Sequence, residues 1–166
     1  MGLYTRNKLK NVLRSWLPGM VATYPWLNAH GVSSHQLIAK YIEHDWLIAL
    51  GSGAFAKLDD KPTLGGAIYA LQKQLRLPIH VGGRSAIELK GYGHYLRFEQ
   101  QIHLYGSLTT KLPTWFKNFS FEHATFIYTH TNILRDTNLG MSTIEIDGFE
   151  LASSSLERAM LEMLGL

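Results

Sequence analysis

The chain of 166 residues contains no cysteine. That absence excludes disulfides, thiolate metal sites and a cysteine nucleophile, and it fits a reducing compartment, so a cytoplasmic location is expected. No apolar run reaches the ~18 residues that a membrane-spanning helix needs. Residues 1–13 carry basic side chains through their apolar positions, unlike the unbroken apolar core of a signal peptide. No membrane partner is therefore expected. Charged residues are few, 17%, against 46% apolar, a balance that excludes wholesale disorder. Internal repeats and low-complexity tracts are missing as well.

The signatures of catalysis are also missing. Among the histidines, His80, His94 and His103, or His123 and His130, are the sets that could meet in space. None has spacing such as H-E-x-x-H, and no acidic residue is placed as a third ligand, so no metal is expected. The stretch Gly82-Gly83-Arg84-Ser85 matches neither phosphate-binding glycine pattern. A strand-to-helix turn with Ser85 near a cap explains it, and His80, His94 and Arg84 are expected to serve as scaffold. No Ser/His/Asp set or carboxylate pair is placed for hydrolysis. The expectation is a protein without catalytic residues or cofactor, and not an enzyme.

Charge is present chiefly at the front. Residues 1–58 hold Arg6, Lys8, Lys10, Arg14, Lys40 and Lys57 against Glu43 and Asp45, a net +4, whereas residues 59–166 sum to −1. A basic first third suits a polyanionic partner, although a solvated helix face accounts for Arg6 to Arg14 equally well. The patterning there is helix, turn, helix, hairpin. Leu9, Val12, Leu13 and Trp16 form one stripe of a helix over 3–17, ended by Pro18-Gly19. Thr23 as N-cap and Pro25 in the first turn open a short helix to His30, stopped by Gly31. Ser33 begins a third helix with Gln36 at capping-box spacing. Leu37, Ile38, Tyr41 and Ile42 share one face of it, and Gln36, Ala39, Lys40 and Glu43 the other. Residues 46–50 and 54–58 are predicted strands joined by Gly51-Ser52-Gly53. This order outlines a winged helix-turn-helix over residues 1–60, with a boundary at Asp59-Asp60-Lys61-Pro62.

A third helix that reads a duplex needs donors and acceptors for base edges. Gln36 can pair with adenine, Ser33 and His35 can reach bases or phosphates, Lys40 suits guanine or phosphate, and Ala39 lets the helix sit deep. In the wing, Ser52 and Lys57 are candidate phosphate contacts, and Arg6 and Lys10 join the DNA-binding set. Residues 61–166 are expected to form a small α+β domain, making the fold class α+β. Its predicted helices cover 64–75, 84–90 and 154–164, and its predicted strands 79–81, 102–105, 125–129, 141–146 and 149–152. The last helix has Ser154 and Glu157 at capping-box spacing. Leu156, Ala159, Met160, Met163 and Leu164, widened by Leu161, give it an apolar face that is expected to be buried, either on the domain's own sheet or against a further partner.

Several blocks resemble AbiEi-type antitoxins of type IV toxin–antitoxin systems, known from phage abortive infection. They are Trp26-Leu27, Gly31-Val32-Ser33, Tyr41, Asp45-Trp46-Leu47 and Gly53-Ala54-Phe55. They continue through Gly65-Gly66-Ala67, Ala70-Leu71-Gln72, His80-Val81-Gly82-Gly83, Ala86-Ile87-Glu88-Leu89, Gly91-Tyr92, His94-Tyr95-Leu96, Lys111-Leu112-Pro113, Trp115-Phe116 and Ser155-Leu156-Glu157-Arg158-Ala159. The resemblance implies a bacterial autorepressor whose winged helix binds inverted repeats in its own promoter, an arrangement that favours two copies on DNA. It also implies an antitoxin that counters a nucleotidyltransferase-like toxin without a stable complex. Family members usually continue past the last block, whereas this sequence ends at Leu166, as a natural short form or a fragment would. The rival expectation is an interaction module that meets a toxin or regulator rather than DNA.

Overall fold

Leucine, valine and tryptophan spaced for one helical face give α1, Leu3–Ser15, which buries Leu9 and Val12 and leaves Arg6, Lys10 and Arg14 exposed. The computed structural model describes residues 2–93, 98–132 and 138–165. α1 stops two residues before the predicted end because Trp16 turns extended; its indole N–H donates to the Met20 carbonyl at 2.9 Å. The chain then forms β1, Ala22–Thr23, a strand too short to show a period in sequence. α2, Tyr24–Ala29, and α3, His35–Glu43, follow, and then the hairpin of β2, Leu47–Gly51, and β3, Ala54–Lys57. The three strands lie in the order β1-β3-β2, all antiparallel. Three helices and a three-stranded sheet in this order make a winged helix-turn-helix.

Two predicted caps are corrected. α3 is capped by Ser34, whose hydroxyl accepts the Leu37 N–H, not by Ser33. Ser33 is held outside the helix because its carbonyl accepts the Tyr24 hydroxyl at 2.6 Å. Gln36 is thereby released from the expected capping box. Thr23 precedes α2 as predicted but makes no side-chain cap; its hydroxyl donates instead to Gln74 Oε1 at 2.9 Å.

Beyond Asp59–Pro62 comes α4, Leu64–Tyr69, which widens into a π-helical turn over Ala70–Gln74. A five-stranded sheet follows in the order β6-β5-β4-β8-β7. Its strands are β4, Ile79–Val81; β5, Gln100–Gly106; β6, Ala124–His130; β7, Met141–Ile146; and β8, Phe149–Ser154. Pairing is parallel for β4 with β8 and for β5 with β6, and antiparallel elsewhere. α5, Gly83–Ile87, leaves the end of β4, α6, Thr114–Asn118, precedes β6, and α7, Leu156–Leu164, follows β8. α6 escaped prediction because its five residues span too little chain for a period.

The π-helical turn fastens the two sheets together. Gln74 accepts the Thr23 N–H and donates to the Val21 carbonyl, completing the outer edge of β1. Gln72 donates to the carbonyls of Ile79 and Ala152 and accepts the Ala152 N–H, bridging β4 and β8. At Gly66 a Cβ would overlap the Gly19 carbonyl, so only glycine lets α4 cross that backbone. One continuous apolar core runs from Leu9 and Val12 through Tyr41, Ile68 and Leu71 to Leu104 and Leu151.

α7 departs from one of its two expected arrangements, full burial on the domain's own sheet. Its capping residue is Ser155, because β8 extends through Ser154. Arg158, Ala159 and Glu162 are buried, whereas Met160, Leu161, Met163 and Leu164 are 55%, 38%, 54% and 70% exposed. Of the apolar face expected to be buried, Ala159 packs inward and Leu156 is half-buried, whereas Met160, Leu161, Met163 and Leu164 point outward. Glu162 accounts for the departure. Its carboxylate accepts hydrogen bonds from Gly83 N–H at 2.8 Å, Ser154 Oγ at 2.8 Å and Arg158 Nε at 3.1 Å, and lies 2.6 Å from His80 Nε2. A buried charge tethered from four sides outweighs the pull of the apolar stripe.

Candidate nucleic-acid interface

α3 presents the polar face expected of a reading helix. Ile38 and Tyr41 are buried and Leu37 and Ile42 half-buried, which anchors the helix and turns His35, Gln36, Ala39, Lys40 and Glu43 to solvent. Ser33 is exposed just before the cap. Among the described residues Gln36 and Lys40 have no side-chain partner, and with Ala39 they offer an amide, a methyl and an ammonium in one strip. Glu43 bounds that strip with negative charge.

His35 is held differently. Its imidazole stacks on Tyr24, centroids 4.6 Å apart and planes within 1°. Tyr24 escaped the sequence reading because an aromatic residue at a helix start ordinarily signals packing. The only pointer was its place directly before Pro25, where a helix opening fixes its direction.

The wing is short. Its turn is Ser52-Gly53, with Gly51 paired to Ala54 and a bulge before Gly51. A Cβ on Gly51 would lie 2.9 Å from Trp115 Cβ, so α6 buttresses the wing from behind. The Gly53 carbonyl accepts the Tyr24 N–H at 3.0 Å, which puts the turn beside the start of α2. Ser52 is exposed at its tip. Lys57 is drawn inward: its ammonium donates to the Trp16 carbonyl at 3.3 Å and lies 3.9 Å from Asp60.

Arg6 and Lys10 are not brought together with the α3 strip. With Arg14, Leu13 and Trp46 they line a groove along α1. Trp46 stacks on buried Tyr41, the face of α3 turned from Gln36 and Lys40.

His80, His103 and the glycine-rich turn take part in hydrogen-bonded contacts within the second sheet domain. Gly82-Gly83 cradles an anion, but that anion is Glu162 of the same chain. Burial alone pushes the Glu162 carboxyl up; the hydrogen bond and charge of His80, with the Gly83 N–H and Ser154, override it and hold the group below the ordinary carboxylate range. Burial, and the Glu162 charge next, push the Tyr105 phenol up; its ring stacks on His80. His103 accepts or donates through Nδ1 to Ser85 Oγ at 3.0 Å, and Arg84 pairs with Glu88. Among the described residues no three His, Cys, Asp or Glu side chains could hold a metal ion. No described helix is long and apolar enough to cross a membrane. His94 lies outside the described residues.

Residues 5–98 match the family model described as the AbiEi antitoxin N-terminal domain of a transcriptional regulator. Residues 99–166 match that of the AbiEi antitoxin transcriptional regulator of type IV toxin–antitoxin systems. No curated protein matches the chain. Among solved structures, the RV2827C protein from Mycobacterium tuberculosis is similar at 15% identity and a TM-score of 0.47, over 80% of this chain and 47% of that one. The chain thus spans about half the length of that protein. With two consecutive family models covering almost every residue, this chain belongs to the AbiEi antitoxin transcriptional regulators of type IV toxin–antitoxin systems.

Proposed function

We propose that the chain is a sequence-specific autorepressor that binds inverted repeats in its own promoter, one copy per half-site, with α3 in the major groove. The observation that carries this reading is the free polar strip of Gln36, Ala39 and Lys40 on a helix anchored by Ile38 and Tyr41 and flanked by a wing. Gln36 pairs with a base edge, Ala39 meets a base methyl, Lys40 and Ser33 take phosphates or bases, and Ser52 approaches the backbone from the wing. Arg6 and Lys10, on another side, act through long-range attraction of the duplex. Lys57 supports the wing's base. In this division residues 1–60 read DNA and residues 61–166 carry the antitoxin part, which counters a nucleotidyltransferase-like toxin without a lasting complex.

Fluorescence anisotropy on the chain's own promoter tests the DNA reading. K40A weakens binding to every duplex and flattens the salt slope. Q36A relaxes preference at one position, losing ~1–3 kcal/mol on the promoter alone. Wild-type protein that shows no preference for the promoter over random duplex at moderate salt refutes it.

The exposed face of α7 favours a second reading, in which the C-terminal part makes protein contacts. Under it, M160D loses toxin neutralisation in co-expression while promoter binding is intact.

A further inference from the structure

Tyr24 stands where the parts of the candidate interface meet. Its backbone N–H is held by Gly53 of the wing turn. Its hydroxyl is held by the carbonyl of Ser33, directly before the α3 cap. Its ring covers one face of His35, the first residue of α3. His35 is exposed, and an exposed side chain ordinarily samples several rotamers that must be frozen on binding. A parallel stack favours one of them in advance on a residue that is exposed.

A neighbouring histidine shows the contrast. His30 also stacks on an aromatic ring, Trp26, but its Nδ1 is spent on the Trp26 carbonyl at 2.8 Å. Among the described residues neither ring nitrogen of His35 has a hydrogen-bond partner. A ring stacked in one orientation with both nitrogens unspent is suited to a ligand, and the adjacent strip of Gln36, Ala39 and Lys40 indicates which kind.

We infer that Tyr24 is a positioning residue for base readout: it presets His35 so that an imidazole N–H meets an acceptor on a base edge in the major groove. The inference rests on the DNA-binding reading above. It adds that part of the specificity lies in a residue that touches no DNA.

The test is a double-mutant cycle on the full chain, read by anisotropy with the promoter duplex and with a random duplex. Y24A and H35A should each lose roughly tenfold in promoter affinity and little on the random duplex. The double variant Y24A/H35A should lose no more than either single one, because Tyr24 acts through His35. Y24F, which retains the ring and drops the hydroxyl, should keep most of the affinity. Independently of DNA, the His35 ring protons should be shifted upfield by the Tyr24 ring in the free wild type and in Y24F, and not in Y24A. If Y24A unfolds, Y24L fills the space without a ring and takes its place. Additive losses in the double variant, unshifted His35 protons in the wild type, or promoter binding by Y24A equal to wild type overturns the inference. A wild type without promoter preference overturns the DNA-binding reading and this role with it; a wild type with preference and additive losses overturns this role alone.

Discussion

Removing the Glu162 carboxylate strips the last helix of its anchor. In E162A, Ser154 Oγ and Gly83 N–H lose their acceptor, His80 loses its carboxylate partner, and Arg158 loses the charge it pairs with while keeping the Leu139 carbonyl at 2.7 Å. With side chains 8%, 1% and 7% exposed at His80, Glu162 and Arg158, water cannot replace what is lost. Breaking a buried pair in this way costs about 3–5 kcal/mol, and about 2–4 °C of midpoint follows each kcal/mol at this chain length, so thermal melts should fall by about 6–20 °C. E162Q retains the shape and one acceptor without the charge and should fall in between. Acid dependence follows from the direction of the shift. The folded carboxyl titrates below its unfolded value, so its stabilisation is complete above the ordinary glutamate value of ~4.3 and is lost as pH falls through the folded value. On acidification below that point the wild type should lose more stability than E162Q. Circular-dichroism melts between neutral and acid pH check both statements. An E162A protein that melts within about 2 °C of wild type would refute the anchoring argument.

The outward face of α7 makes M160D close to neutral, within about 0.5 kcal/mol by thermal melt, whereas burial of that face would have made the same change unfold the protein. Q74A removes the edge partner of β1, two acceptor contacts to Thr23 and one donor contact to Val21, and should cost about 1–3 kcal/mol for the orphaned groups, read by urea denaturation. G51A sets a methyl against Trp115 at a backbone angle that favours glycine; melts should show a loss of about 1–3 kcal/mol, with heteronuclear spectra showing shifts in α6.

Much of this protein was determined locally and could be read without its tertiary structure. The stripe of Leu9, Val12 and Trp16, the split faces of α3, and the Gly-Ser-Gly turn between two short apolar runs each follow from periodicity and turn chemistry within a few residues. Together with the family-typical blocks they specify a winged helix followed by an α+β part. What the tertiary structure decided are the places where a residue's partner lies far along the chain. Ser34 rather than Ser33 caps α3 because Tyr24, nine residues before Ser33, claims its carbonyl. β1 is a strand only because β3 and Gln74 supply its two edges. The exposure of apolar residues on α7 has the same origin. A helical wheel weighs each residue by its own hydropathy, and by that measure Met160, Met163 and Leu164 belong inside. Glu162 goes inside instead because His80, Gly83 and Ser154, from β4, the start of α5 and the end of β8, converge with Arg158 on one carboxylate. Burying a charge is costly for a single residue and becomes favourable only once the fold has assembled the donors around it.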